Sequence, residues 1–273
     1  MSITNFIPTV WSESLHTELE KRYIAVSHCY REFEGEIQHR GDTVRICGVG
    51  NIDVGSYVKN TDMSVPQTLS DTVRELAISN ANYFNFQIDD IDRAQSNPRL
   101  MEAAMKLAAS SLANEADRFV FDLYRDHEQV VSAENATADT IVDAILAARQ
   151  KLYENNVYDS EDVVVEVSPA VASLILKAKV KLASDNAEAL EAGCIGNIMG
   201  CKVFVSNNIA NVDGAYKCFV RTKRAIAFAE QLSEIDAYRP EKRFADAVKG
   251  LHLFGAGIIY PKELVVLNTT LAA

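Results

Sequence analysis

The sequence has no run of about 18 uncharged apolar residues, which removes a membrane-spanning helix from consideration. No basic segment followed by an apolar one opens it, so no secretory signal is visible. Cysteine is sparse: Cys29, Cys47, Cys194, Cys201 and Cys218 make five, an odd number, and no two stand at CxxC spacing. That argues against a disulfide framework or a thiolate metal site, and for free thiols serving as small apolar side chains in a reducing cytosol. Positive charge is in deficit, with 27 Lys and Arg against 38 Asp and Glu and a net charge of −11. A surface built to grip nucleic-acid phosphates is disfavoured, although a protein that lies close to nucleic acid without adhering is not. The 273 residues, 48% of them hydrophobic, suffice for a real core and for two lobes.

The chain is organised around the stretch from Pro98 to about His127. Met101, Met105, Ala108, Leu112, Ala116, Phe119 and Leu123 recur at spacings of three or four, and Leu107 and Val120 widen the stripe. Lys106, Ser110, Asn114, Asp117, Arg118 and Asp122 fall largely outside it. With Asn97 as cap and Pro98 at the first helical position, the spacing predicts one helix roughly 45 Å long. Ahead of it, Trp11, Leu15, Leu19 and Tyr23 form a short helical stripe that must dock elsewhere. Asp42–Cys47 alternates as a strand, Thr72–Ser79 reads as a returning strand, and the Gly-bearing connection between them predicts a long hairpin. Tyr83–Asp89 is a further strand.

From about Ala136 helix and strand alternate. Thr137 or Asp139 caps a helix to Tyr153, Val163–Val167 is a buried strand, and Ser168 with Pro169 opens a second helix. Lys177, Lys179 and Lys181 on that helix read as a solvated face. Cys194–Gly200 is expected to be a Gly-bearing turn, with strands at Lys202–Ser206, Tyr216–Val220 and Ala225–Phe228. Asn207-Asn208 and Asp213-Gly214 are turn signals. Leu232–Tyr238 and Phe244–Ile259 flank Arg239-Pro-Glu-Lys-Arg243 as a second long hairpin with a charged tip.

Motifs that carry chemistry are weak. Asp89, Asp90 and Asp92 invite a hard cation, but the pattern of a calcium loop is absent. His16, His28, His39, His127 and His252 are scattered without paired spacing. Gly193–Gly200 lacks the Lys-Ser/Thr ending of a phosphate loop and the glycine spacing of a dinucleotide fingerprint.

Several strings carry a resemblance: Phe6–Trp11, Tyr83–Asp90, Val205–Asn208 and, most specifically, Ala237-Tyr-Arg-Pro-Glu-Lys-Arg-Phe-Ala-Asp-Ala-Val-Lys-Gly250. With the order of elements, they resemble tailed-bacteriophage major capsid (coat) proteins of the Hong Kong 97-type fold, in the subgroup similar to the Salmonella-phage coat protein. The resemblance implies an α+β fold: N-terminal arm 1–30, extended loop 31–80 reaching over a neighbouring subunit, and peripheral domain 81–134 with a spine helix. Axial domain 135–230, a peripheral hairpin 231–260 and a return strand 261–273 complete it. It implies a non-enzymatic structural protein, without cofactor or metal, that assembles in the host cytoplasm into an icosahedral virion shell of pentamers and hexamers around double-stranded DNA. A separate scaffolding protein is implied, because the sequence leaves no room before the extended loop for the scaffolding segment of some relatives. A portal protein is implied too, with packaged DNA held without sequence-specific contacts and no membrane. The candidate interface residues are Arg40 and Arg45 on the extended loop and Arg239, Glu241, Lys242 and Arg243 at the charged tip, where guanidinium groups would pair with a neighbour's carboxylates. Two alternatives stand beside this reading: an encapsulin-like cellular nanocompartment shell, and a metal-dependent hydrolase using the Asp89, Asp90, Asp92 cluster.

Overall fold

The structure is a computed structural model that describes residues 15, 17–32, 42–49, 56, 59–60, 71–89, 100–157, 163–178, 194–198, 200–242 and 244–272. Its elements run β1 (Thr43–Val49), β2 (Asp71–Ala77), β3 (Asn80–Asp89), α1 (Leu100–Asp122), β4 (Val130–Ala136), α2 (Ala138–Glu154), β5 (Val163–Val167), α3 (Pro169–Lys177), β6 (Cys194–Ile198), β7 (Cys201–Val205), β8 (Asn211–Val212), β9 (Ala215–Thr222), β10 (Ile226–Tyr238), β11 (Ala245–Ile258) and β12 (Leu264–Leu271). Among the described residues these strands form three sheets.

The largest sheet has the order β4-β12-β9-β5-β7-β6, with β8 paired to β9. It is mixed: β12 runs parallel to β4, β5 parallel to β7, and the other pairs are antiparallel. β5 is buried at all five positions, as expected of a central strand covered on both faces. α2 lies over β4, β12 and β9 and packs beside α3. Both helices begin as their sequences dictate. Thr137 accepts from Thr140 N–H while the Thr140 hydroxyl accepts from Thr137 N–H, a reciprocal cap. Ser168 accepts from Val171 N–H and Pro169 takes the first turn. Asp213 (φ 53°) and Gly214 (φ 82°) make the tight turn from β8 to β9, where both central residues need positive φ.

The second sheet, β10-β11-β3, is antiparallel throughout. α1 packs on one of its faces: Phe119 meets Phe254 edge to face at 5.7 Å between ring centroids. Two residues further on, α1 meets the large sheet through Phe121 and Phe219, 5.5 Å apart. The third sheet is the β1–β2 hairpin. Its base is not bare: Val44, Leu76 and Ile78 pack with Ala227, Ala229 and Leu253 on the other face of the second sheet.

Four expectations need correction. The long helix is 23 residues, roughly 34 Å. Its end tightens into a 3-10 turn, Leu123–Asp126, and His127 leaves extended with its Nε2–H donating to the Leu264 carbonyl at 2.6 Å. Asn97 and Pro98 lie outside the described residues. Leu107, placed on the apolar stripe, is exposed, whereas Asp117, placed outside it, is buried. Cys194–Ile198 is a strand rather than a turn, paired to β7 through an irregularity between Cys194 and Gly196. Ala225–Phe228 is not a separate short strand either, because β10 runs from Ile226 to Tyr238, with one irregularity in its pairing between Ser233 and Asp236.

Candidate functional site

The chain between Tyr23 and Arg31 is gripped by three buried carboxylates, one from each of the structural parts it crosses. Asp117 projects from α1 and accepts from the backbone N–H groups of Ile24 and Val26, each at 3.1 Å. Burial pushes its carboxyl up to about 7, although the backbone hydrogen bonds from Val26 and Ile24 pull the other way.

Glu166, on β5, faces Arg221 on β9, and neither side chain has measurable exposure. Arg221 Nε and Nη2 each donate to one Glu166 oxygen at 2.9 Å, the paired geometry that guanidinium and carboxylate favour. The rest of the guanidinium turns to the N-terminal segment, donating to the His28 carbonyl at 2.5 Å and the Ala25 carbonyl at 2.9 Å. His28 Nδ1 lies 3.2 Å from Glu166. Burial alone would raise the Glu166 carboxyl, but the Arg221 charge and the His28 hydrogen bond outweigh it and hold it below its ordinary value. Arg221 is held above its ordinary value because the Glu166 charge outweighs its burial.

Glu230, on β10, receives the Tyr23 hydroxyl at 2.5 Å, Arg31 Nη2 at 2.6 Å and His252 Nε2 at 2.7 Å. Burial acts to raise it, and the His252 hydrogen bond, with the charges around it, brings it below its ordinary value. Burial also pushes the Tyr23 phenol up. The segment closes with a backbone bridge, Tyr30 N–H to the Ile226 carbonyl at 2.9 Å and Phe228 N–H to the Tyr30 carbonyl at 3.0 Å.

This arrangement holds geometry. Every oxygen of the three side chains accepts at least one hydrogen bond from the chain itself, so together they tie the N-terminal segment to α1 and to both larger sheets. Among the described residues no three His, Cys, Asp or Glu side chains gather as a metal site. His28, His127 and His252 are each committed to a structural acceptor. Asp89 closes β3, and Asp90 and Asp92 lie outside the described residues.

The surface residues singled out from the sequence fall at two separate places. Arg45 is exposed on β1, with its Nε 3.3 Å from Glu75 across the hairpin. It thus has a partner within the chain as well as the neighbour's carboxylate expected from the sequence. Arg239, Glu241 and Lys242 are exposed together between β10 and β11, at the end of that sheet remote from the seated hairpin. Arg40 and Arg243 lie outside the described residues.

The sequence matches the family described as "Phage capsid protein" over residues 76–267, from within β2 to within β12. The chain belongs to this family. No curated protein matches it. Among solved structures it is similar to one from Mycobacterium phage Che8, with 28% identity, a TM-score of 0.71 and 90% of each chain covered. It shares its fold with the capsid of Ralstonia phage GP4, at 10% identity and a TM-score of 0.71, covering 93% of this chain and 90% of that one. A virus-like particle from Pyrococcus furiosus has the fold too, at 13% identity and a TM-score of 0.60, covering 93% and 96%. The Hong Kong 97-type α+β fold expected from the sequence agrees with these likenesses. The chain is a structural, shell-forming capsid protein of the virion.

Asp117, Glu166, Arg221 and Glu230 were not singled out by the sequence as functional. One signal was present: Glu166 sits inside Val-Val-Val-Glu-Val, and a charge within a fully buried strand demands a buried partner.

Proposed function

We propose that this capsid chain is the principal subunit of an icosahedral phage head, forming pentamers and hexamers around double-stranded DNA, and that its role is wholly structural. The observation that carries the reading is the family match across α1 and both larger sheets. The acidic balance, 38 Asp and Glu against 27 Lys and Arg, supports packaged DNA that is enclosed without being gripped. Assembly would take place in the cytoplasm of the bacterial host on a separate scaffolding protein, with a portal protein at one vertex.

In this reading residues 1–30 are the N-terminal arm and 31–80 the extended loop. Residues 81–134 and 231–260 form the peripheral domain, 135–230 the axial domain, and 261–273 return to the axial domain. The boundaries at 134/135 and 230/231 fall within β4 and β10. Arg40, Arg45, Arg239, Glu241, Lys242 and Arg243 would meet neighbouring subunits.

The test is expression of the chain alone and with its scaffolding protein, followed by sedimentation and negative-stain microscopy. Monomers or small capsomers alone, and closed shells with scaffold, are expected. A compact dimer under every condition would reject the proposal.

A further inference from the structure

β3 is an edge strand. β11 pairs along one side of it, and among the described residues no strand pairs along the other. Edge strands of soluble proteins are ordinarily protected by lysine, proline, a bulge or a covering element, because their unpaired N–H and C=O groups are a template for a further strand. β3, Asn-Ala-Asn-Tyr-Phe-Asn-Phe-Gln-Ile-Asp, has no lysine, arginine, proline or glycine. Its register with β11 runs without a bulge from Asn80 opposite Phe254 to Asp89 opposite Ala245.

Among the described residues the same edge leaves apolar surface uncovered. Phe84 and Phe86 point to the α1 side of the sheet and stack at 6.1 Å, yet both remain only half-buried. Tyr83, on the opposite face, is 77% exposed. A groove of about 420 Å³ lies between Asn82, Tyr83 and Phe84 on β3 and Ala108, Ser111, Leu112 and Glu115 on α1, Glu115 being paired with Arg118 on the same helix. No β11 residue lines it, which places it on the unpaired side of β3.

We infer that the open edge of β3 pairs with β3 of a second copy, antiparallel across a twofold axis, joining two three-stranded sheets into one of six strands. The inference rests on the shell-forming reading, since a closed shell supplies such axes and a second copy at each of them. The charge pattern selects self-pairing. A strand laid against its own copy sets like residues near like, and like charges there repel. Asn80–Ile88 carries no charge at all, whereas the edge strands β1, β2, β4 and β10 carry Arg45, Arg74, Glu134 and Asp236; β6 is uncharged too but has only five residues, one of them glycine. Around a twofold axis near the strand centre, Asn85 would lie opposite its own copy and Tyr83 opposite Gln87. Both pairs would stand on the exposed face, with amide side chains able to donate and accept across the seam.

Two measurements test this. The first is a cryo-electron microscopy map of the wild-type shell, in which β3 of a neighbouring copy is expected alongside β3. A bare edge, another segment of the neighbour, or a scaffold segment in that place would overturn the inference. The second uses the exposed positions: Tyr83→Cys, Asn85→Cys and Gln87→Cys, each oxidised within assembled particles. A disulfide-linked dimer is expected from the position nearest the axis, and from mixed Tyr83→Cys and Gln87→Cys chains when the axis passes Asn85, because facing residues of paired strands lie within disulfide reach. No dimers from any of them, in particles that assemble normally, would overturn it. Failure of the wild-type chain to form any particle would instead count against the shell-forming reading itself.

Discussion

Gly255 and Ala77 touch through their backbones: a methyl group on Gly255 would stand 2.3 Å from the Ala77 carbonyl oxygen. β2 therefore crosses β11 at a distance that only glycine permits, and the base of the β1–β2 hairpin is seated by that crossing. Leu76 and Ile78 are buried beside it against Ala227, Ala229 and Leu253. Arg74 adds a hydrogen bond from Nη1 to the Ile258 carbonyl at 3.1 Å.

Gly255→Ala must displace backbone, because the atom it meets is a main-chain oxygen. Overpacking of this kind costs about 1–3 kcal/mol. The expected result is a lowered urea midpoint with native circular dichroism, and a reduced yield of particles from the folded fraction. An unchanged midpoint would mean that the hairpin base yields freely.

Arg221→Met leaves Glu166 buried without its cation, which costs about 3–5 kcal/mol when one partner of a buried pair is removed. The loss is read as a shift in the denaturation midpoint. Adding Glu166→Leu should recover much of it, because the uncompensated charge goes as well. Recovery will be incomplete, since the carbonyls of Ala25 and His28 lose the donors that Arg221 supplied. A double variant no more stable than Arg221→Met would contradict this account.

Asp117 gives a stability that falls as pH rises. Its folded carboxyl titrates at about 7, above the ordinary value of about 4 for an unfolded aspartate. Between those values the folded state binds the extra proton, so its contribution is greatest below about pH 4, declines up to about pH 7 and is flat beyond. Glu166 and Glu230 have the opposite sign: both are held below their ordinary values, so their contribution is present near neutrality and lost in acid. From pH 5 to pH 8 the free energy of unfolding in urea should therefore fall less, or rise more, in Asp117→Asn than in wild type; His127, held below its ordinary value by burial, contributes with the opposite sign in both. Equal differences would remove Asp117 as the source.

Arg45→Glu replaces an exposed cross-strand ion pair with Glu75 by two like charges, and this should cost folding no more than about 1 kcal/mol. If Arg45 meets a carboxylate of a neighbouring subunit, reversal of its charge converts attraction into repulsion at every symmetry-related contact. The expected result is a folded subunit with near-wild-type melting that fails to form particles. Normal particle yield would remove Arg45 from the interface.

Caps and tight turns read from the sequence matched the structure because their determinants are local. Thr137 and the Ser168-Pro169 pair open α2 and α3 because a cap needs only its own first turn. Asp213-Gly214 makes its turn because the required backbone is intrinsic to those residues. Asp117 departs from its expected place for the opposite reason. Periodicity assumes one buried face, whereas α1 is also covered by the segment around Ile24–Val26, whose N–H groups bury Asp117 on what looked like the solvent side.

The sequence by itself determined the elements, their order, the caps and the family texture that marks a capsid chain, since these rest on short-range sterics, hydrogen bonding and the spacing of apolar residues. Only the tertiary structure decided which charges are buried together. Glu166 and Arg221 lie 55 residues apart and Tyr23 and Glu230 lie 207 apart. No local preference links residues at such separations, and an ionisable side chain looks the same in sequence whether water or a buried partner will solvate it. The partner is chosen when two sheets, one helix and the N-terminal segment close on one another, and the cost of leaving a buried charge unpaired then fixes their mutual positions.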